Sequence, residues 1–161
     1  MDTLEFQIYD STNQVWEWKK AYQTFGVMMD DGFLDALMPP IPLKPFVTNK
    51  SRLIDGERIV ISNPRKDSRS LTLSFAIHGN SKTDFQSKKE SFYNYLYTGD
   101  VRIRFTPPTQ GANDDRVTKD EFRFIYNGES VTYGEDLTHT SCKISIKLKE
   151  PNPQNRNSSL W

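Results

Sequence analysis

The sequence predicts a mainly β (α+β) domain: an antiparallel β-sandwich or partly open barrel with one flanking α-helix over about residues 83–98. Three observations lead there. Residues 69–105 read as an alternating strand RSLTLSFAI, a turn HGNSKT, a helix DFQSKKESFYNYLYTG and a second alternating strand DVRIRF, with turn chemistry at each junction. The other apolar residues fall in short, strand-sized clusters separated by Pro- and Asn-rich loops. Aromatic residues make up 12% of the chain, including 10 Phe and 7 Tyr, and large flat side chains pack well on a pleated surface.

At 161 residues the chain fits one domain, and a domain of this size buries roughly 70% of its unfolded surface. That domain is expected over 1–150, with 151–161 (PNPQNRNSSLW) as a polar C-terminal extension. Residues 4–9 (LEFQIY) alternate, with Leu4, Phe6 and Ile8 on one side, and open the fold as a strand. In VWEWKKAYQTFGVMM part is a strand, entered through the turn residues Ser11, Thr12 and Asn13. Residues 39–45 (PPIPLKP) hold four prolines, each lacking a backbone donor, so they form an extended, polyproline-like arm. Asp55-Gly56 marks a tight hairpin turn between an RLI segment and the strand ERIVIS.

Leu71, Leu73, Phe75 and Ile77 alternate with Thr72, Ser74, Ala76 and His78 as a half-buried strand. Phe85, Phe92 and Leu96 share one helix face with Tyr93 beside them, while Lys88 and Lys89 face water. Thr83 with Gln86 forms a capping box, and Gly99 stands where a left-handed C-terminal cap is wanted. Val101, Ile103 and Phe105 restore the period of two, with Arg102 and Arg104 opposite. Residues 106–120 are a long polar loop, followed by strands centred on Phe122, Phe124 and Tyr126 and on Cys142, Ile144, Ile146 and Leu148.

A net charge of +0 argues against a large basic footprint for nucleic acid and against strong attraction to an anionic membrane. A lone Cys142 excludes an internal disulfide and a multi-cysteine zinc site, and MDTLEFQIYD shows no secretory pattern, so folding in a cytoplasm is expected. Gly79-Asn80-Ser81-Lys82-Thr83 follows a strand and opens a helix, as a phosphate loop does. Ser81 and Ala76 stand where that loop needs glycines, so a polar turn and helix cap is the better reading. His78 and His139, the only histidines, read as surface residues. Asp114, Asp115, Asp120 and Glu121 lack calcium-loop spacing. No catalytic, cofactor or metal site is predicted. Arg102, Arg104 and Arg123 suit a solvated face with cross-strand ion pairs. Trp16 and Trp18 share a strand face and suit packing or, as an alternative, a sugar platform.

Three stretches carry a resemblance: FGVMMDDGFLDALMPP; the run from IDGERIVIS through the helix to YLYTG; and DVRIRF, DEFRFIYNG and KISIKLKEPNP in that order. Over nearly the whole chain they resemble the distal tail protein family of long-tailed bacteriophages, in particular its ring-forming N-terminal domain. The resemblance implies a tail-tube-like β-sandwich with a flanking helix, and a non-enzymatic virion protein of a phage or prophage. It implies a homo-oligomeric ring, usually a hexamer, at the distal end of the tail tube. The ring would join tube to baseplate hub or tail tip and leave a channel through which DNA passes without specific binding. The implied location is the virion tail, after synthesis in the bacterial host cytoplasm. A tail-tube or connector subunit of related fold and a small carbohydrate-binding β-sandwich using Trp16 and Trp18 are the alternatives. Self-assembly has a physical basis as well, because unlike surfaces on one subunit close into a ring when their rotation divides a full turn. The Pro-rich arm, with Met38, Ile41, Leu43 and Phe46, and the loop carrying Pro107 and Pro108 are the candidate subunit contacts.

Overall fold

A computed structural model describes residues 4–53, 55–104 and 121–156. The chain runs through β1 (Glu5–Asp10), β2 (Val15–Lys20), α1 (Ala21–Phe25), β3 (Val27–Met29), α2 (Phe33–Leu37), β4 (Val47–Asn49) and β5 (Arg58–Val60). It continues through β6 (Arg69–His78), α3 (Lys82–Leu96), β7 (Asp100–Arg104), β8 (Glu121–Tyr126), β9 (Thr132–Glu135) and β10 (Ser141–Glu150), and ends on a 3-10 turn at Pro153–Asn155. The protein is mainly β. Eight strands form one antiparallel sheet in the order β2-β1-β7-β8-β10-β6-β3, with β9 also on β10, and β4 and β5 make a separate two-stranded ribbon. The large sheet is not a closed barrel.

Alternation decides which face is covered. Along β6 and β10, Leu71, Leu73, Phe75 and Ile77 and Cys142, Ile144, Ile146 and Leu148 are buried on one face. Ser70, Thr72, Lys143 and Lys149 are exposed on the other. The covered face curls tightly. Phe6 on β1 and Phe75 on β6 stand 6.1 Å apart although β7, β8 and β10 lie between their strands. A flat sheet would separate them by roughly 19 Å at its usual strand spacing. Helix α3 occupies the curl: Phe92 lies 5.8 Å from Phe6, 5.8 Å from Phe25 and 5.6 Å from Phe75.

The hydroxyl of Tyr95 completes the sheet. β1 and β7 pair only at Glu5–Arg104 and Phe6–Ile103. Where that ladder opens, Tyr95 Oη donates to the Gln7 carbonyl at 3.0 Å and accepts from the Arg102 amide at 3.0 Å. A side chain thus satisfies two backbone groups that would otherwise be buried unpaired.

Helix α3 begins one residue before the expected start, and its cap differs. Ser81 is the N-cap, its Oγ accepting from the Asp84 amide at 3.1 Å, and Asp84 in turn accepts from the Asn80 amide at 2.8 Å. The shorter Ser-to-Asp pair takes the role assigned to Thr83 and Gln86, because the chain turns at Gly79. A Cβ there would lie 2.4 Å from the Phe85 nitrogen, so only glycine lets the helix start so close to its strand. Gly99 does adopt a left-handed conformation, φ +79°, and its amide closes on the Leu96 carbonyl at 2.9 Å. Lys88 and Lys89 do not simply face water: Lys88 bonds Asp84 at 3.1 Å, and Lys89 lies against Glu135 and Tyr133 at 3.6 and 3.2 Å.

Among the described residues the single expected helix is one of three α-helices, the others being the five-residue α1 and α2. Such short helices leave little periodicity to detect; α1 is ended by Gly26 at φ +66°. The opening, second, 71–77, 122–126 and 142–148 strands stand as expected, and so does the strand expected over DVRIRF as far as Arg104, Phe105 lying outside the described residues. β9 was not foreseen, and with β8 it lies along one edge of β10. Five residues, 127–131, stand opposite only Ile146 and Lys147, which splits that edge into two strands out of register.

Replacing Tyr95 by Phe keeps the ring and orphans the Gln7 carbonyl and the Arg102 amide. The expected loss is roughly 1–3 kcal/mol by urea unfolding. Unchanged stability would show that the hydroxyl is not a structural bridge.

Candidate assembly interface

After Leu37 the chain leaves the body, and it returns at Asp67. The outgoing segment bridges the returning one at Leu43–Lys66, with hydrogen bonds from the Lys44 amide to Arg65 O and from the Asp67 amide to Pro42 O, each 2.8 Å. Beyond it Val47, Thr48 and Asn49 pair with Val60, Ile59 and Arg58. The Pro-rich segment is therefore one leg of a β-ribbon rather than a lone polyproline strand. Its tip also differs from expectation. Asp55-Gly56 lies between β4, which ends at Asn49, and β5, which begins at Arg58, and Arg52 and Leu53 are not in a strand; the Leu53 amide bonds Ser51 Oγ at 3.2 Å.

Of the candidate contacts, Met38 and Leu43 are exposed and Ile41 and Phe46 are half-buried, all on the outgoing leg. Pro107 and Pro108 lie outside the described residues. Sequence reasoning missed Val47, Leu53, Ile59, Val60 and Ile61, which are exposed on the ribbon, Leu53 at 94%. Alternating apolar residues around the DG turn were the available signal. They pointed to a tight hairpin turn between the RLI segment and ERIVIS; every residue of β4 and β5 is exposed.

The root of the arm is held by a buried ion cluster. Glu150, at 0% exposure, accepts from Arg69 Nε at 2.6 Å and from Arg156 Nε and Nη2 at 2.6 and 3.0 Å. Arg69 also donates to the carbonyls of Leu37 and Pro39 at 3.1 and 3.3 Å. Arg156 lies 4.5 Å from the Phe122 ring centre, and Pro153 is buried. Within the polar C-terminal extension, Arg156 thus supplies part of the pairing that a buried carboxylate needs.

Trp16 and Trp18 lie together on the uncovered face of the sheet, as their spacing predicts. Arg102 sits 4.0 Å over Trp16 and Arg104 4.5 Å over Trp18. Arg104 pairs with Glu5, and Asp100 pairs with Arg102 and Arg123 at 3.0 Å each, so the predicted cross-strand ion pairs are present. A ring that already carries a guanidinium is a poor sugar platform. The phosphate-loop look-alike is likewise occupied by its own cap, its Asn80 and Asp84 amides bonded to Asp84 and Ser81.

His78 is exposed beside an open depression of about 410 Å³ between Met28, Ala76, Gly134 and Lys143. Cys142 also lines it, but is buried, and desolvation pushes its thiol up, away from the nucleophilic thiolate. His139 bonds Glu135 at 2.8 Å in the β9–β10 turn and is largely exposed. That turn is organised by Asp136, whose carboxylate accepts from the Thr138 hydroxyl at 2.6 Å and from the Thr140 and Ser141 amides at 3.1 and 3.3 Å. These bonds, the Thr138 hydroxyl foremost, hold its pKa down to about 2. Among the described residues no helix is long and apolar enough to cross a membrane. Comparison with protein-family models and with curated proteins finds no match.

Two outcomes follow. A depressed carboxylate stabilises above its ordinary pKa, near 3.8, and loses that contribution as pH falls through the folded value. The Thr140 and Ser141 amide resonances should therefore titrate with a midpoint of about 2; a midpoint near 4 would mean the turn exerts no hold. Glu150→Ala leaves two arginines facing each other without a counter-charge, and should cost roughly 3–5 kcal/mol in denaturant unfolding. A loss below about 1 kcal/mol would show the cluster to be solvated.

Proposed function

We propose that this protein is a non-enzymatic structural subunit that assembles with copies of itself, and that it acts as a ring-forming component of a bacteriophage or prophage tail. One observation carries the reading: the arm of residues 38–66 extends from a well-packed body as a ribbon whose β4 and β5 residues are all exposed, and its described apolar side chains other than Ile41 and Phe46 are exposed as well. A monomer gains nothing from such a ribbon, since an isolated two-stranded hairpin is at best marginally stable in water. A neighbouring subunit supplies the missing partner.

The curled sheet supports the finer part of the proposal. Phe6 and Phe75 stand 6.1 Å apart across the curl that α3 occupies, a curvature compatible with a sandwich-like arrangement. This form suits the tail-tube-like sandwich implied by the resemblance of FGVMMDDGFLDALMPP and the later strand phrases to distal tail proteins. In the proposed ring, usually sixfold, the subunits join the tail tube to the baseplate hub or tail tip around a channel for DNA.

The test is electron microscopy and light scattering of concentrated protein, beside a variant in which residues 44–66 are replaced by a short Gly-Ser linker. The full chain should form closed rings, and the variant should stay monomeric with its unfolding free energy within about 0.5 kcal/mol of the parent. A full chain that stays monomeric at every concentration overturns self-assembly. Rings from the armless variant would remove the arm from the interface.

A further inference from the structure

The geometry points to one receiving surface for the arm: the free edge of β9 on a second copy of the chain, with which the ribbon extends the sheet. The inference rests on the self-assembly reading above and names the face that the reading leaves open. β9 pairs with β10 on one side and with no other strand among the described residues, and all four of its residues are exposed. Its outer edge therefore presents unpaired backbone donors and acceptors. The β4–β5 ribbon has such edges on both sides. Strand addition satisfies the two sets together.

Charge selects the pairing. Residues 44–67 carry Lys44, Lys50, Arg52, Arg58, Arg65 and Lys66 against Asp55, Glu57 and Asp67, leaving the arm at +3. Residues 129–137 carry Glu129, Glu135 and Asp136 and no lysine or arginine, which is −3. Lys147 and Lys89 reach Glu129 and Glu135 from neighbouring elements at 3.9 and 3.6 Å, yet the Glu129 side chain remains 64% exposed. The arm thus carries an excess of positive charge and the segment around β9 an excess of negative charge.

Apolar surface falls in the same two places. The two most exposed large hydrophobic side chains among the described residues are Leu53, at 94% in the ribbon loop, and Leu137, at 97% just after β9. Val131 and Tyr133 flank the β9 edge, exposed by 40% and 45%, and Ile59 and Ile61 match them on the arm, at 52% and 74%. The two surfaces belong to different elements, so their union is heterologous and runs head to tail, as ring growth requires.

The experiment cross-links concentrated wild-type protein, mixed from normal and nitrogen-15-labelled chains, with a zero-length carbodiimide. It then measures assembly of three variants: Lys50→Glu with Arg58→Glu, Glu129→Lys, and all three changes together. Mixed-isotope links from arm lysines to Glu129, Glu135 or Asp136 are expected. Each partial reversal should weaken assembly at least about tenfold, and the combined variant should recover most of that loss. Oligomers whose links fall elsewhere, or that ignore these reversals, overturn the β9 assignment and leave self-assembly standing. A protein that never oligomerises sinks both.

Discussion

A single carboxylate ties together the parts of this chain that would otherwise have no reason to stay together. Glu150 ends the longest strand pair, β10 with β6, and its two oxygens take guanidinium groups from opposite directions in sequence. Arg69 starts β6 and holds the carbonyls of Leu37 and Pro39, where the arm departs. Arg156 holds the segment that follows β10. Burying charges is costly unless they are paired, and here both guanidiniums share the Glu150 carboxylate while Arg69 also donates to two backbone carbonyls. The cluster is a poor source of raw stability compared with an apolar plug of the same volume. Its value lies in direction: it fixes where the arm leaves the body and where the C-terminal segment lies.

The aromatic core provides the stability that the cluster does not. Phe6, Phe25, Phe75, Phe92 and Tyr95 form a continuous set of edge-on, tilted and stacked contacts with centroids between 5.3 and 6.1 Å. Such rings combine large buried area with directional quadrupole contacts. They also require the sheet to curl, since rings from β1 and β6 cannot meet on a flat one. The curl opens the β1–β7 ladder, and the Tyr95 hydroxyl fills the opening. Curvature, aromatic packing and the backbone bridge are thus one solution to one constraint.

Much of this was legible from the chain. Period-two alternation in β6, β7, β8 and β10 marked the covered face residue by residue, and the helix face of Phe85, Phe92 and Leu96 was read correctly. What escaped depends on partners remote in sequence. Arg69 and Glu150 are 81 residues apart and each sits in a polar neighbourhood, so nothing local marks them as buried. β9, with Tyr133, Gly134 and three acidic neighbours, has no alternation, because it packs only along one edge. Lys89 looked like a solvent-facing helix residue, but β9 lies over it. The arm was visible as a Pro-rich stretch with apolar residues; its ribbon form was not, since the bridge from Leu43 to Lys66 spans a loop whose length the DG signal misjudged.

The charge pattern explains why specificity should reside in the arm rather than on the broad uncovered face of the sheet. That face carries many ions, but it compensates them internally: Arg104 with Glu5, Arg102 and Arg123 with Asp100, and two indoles beneath guanidiniums. A partner docking there would have to replace interactions that already exist, so its net gain would be small. The arm and the β9 edge have less to give up. Their backbone edges are unpaired, their leucines and isoleucines are in water, and most of the arm's cations have no counter-ion within its own ribbon. Desolvating such groups against a complementary strand satisfies them for the first time, and the same reasoning limits the number of places where the ribbon can go. A self-compensated face beside two strand edges whose backbone groups are unpaired among the described residues therefore directs association to those edges.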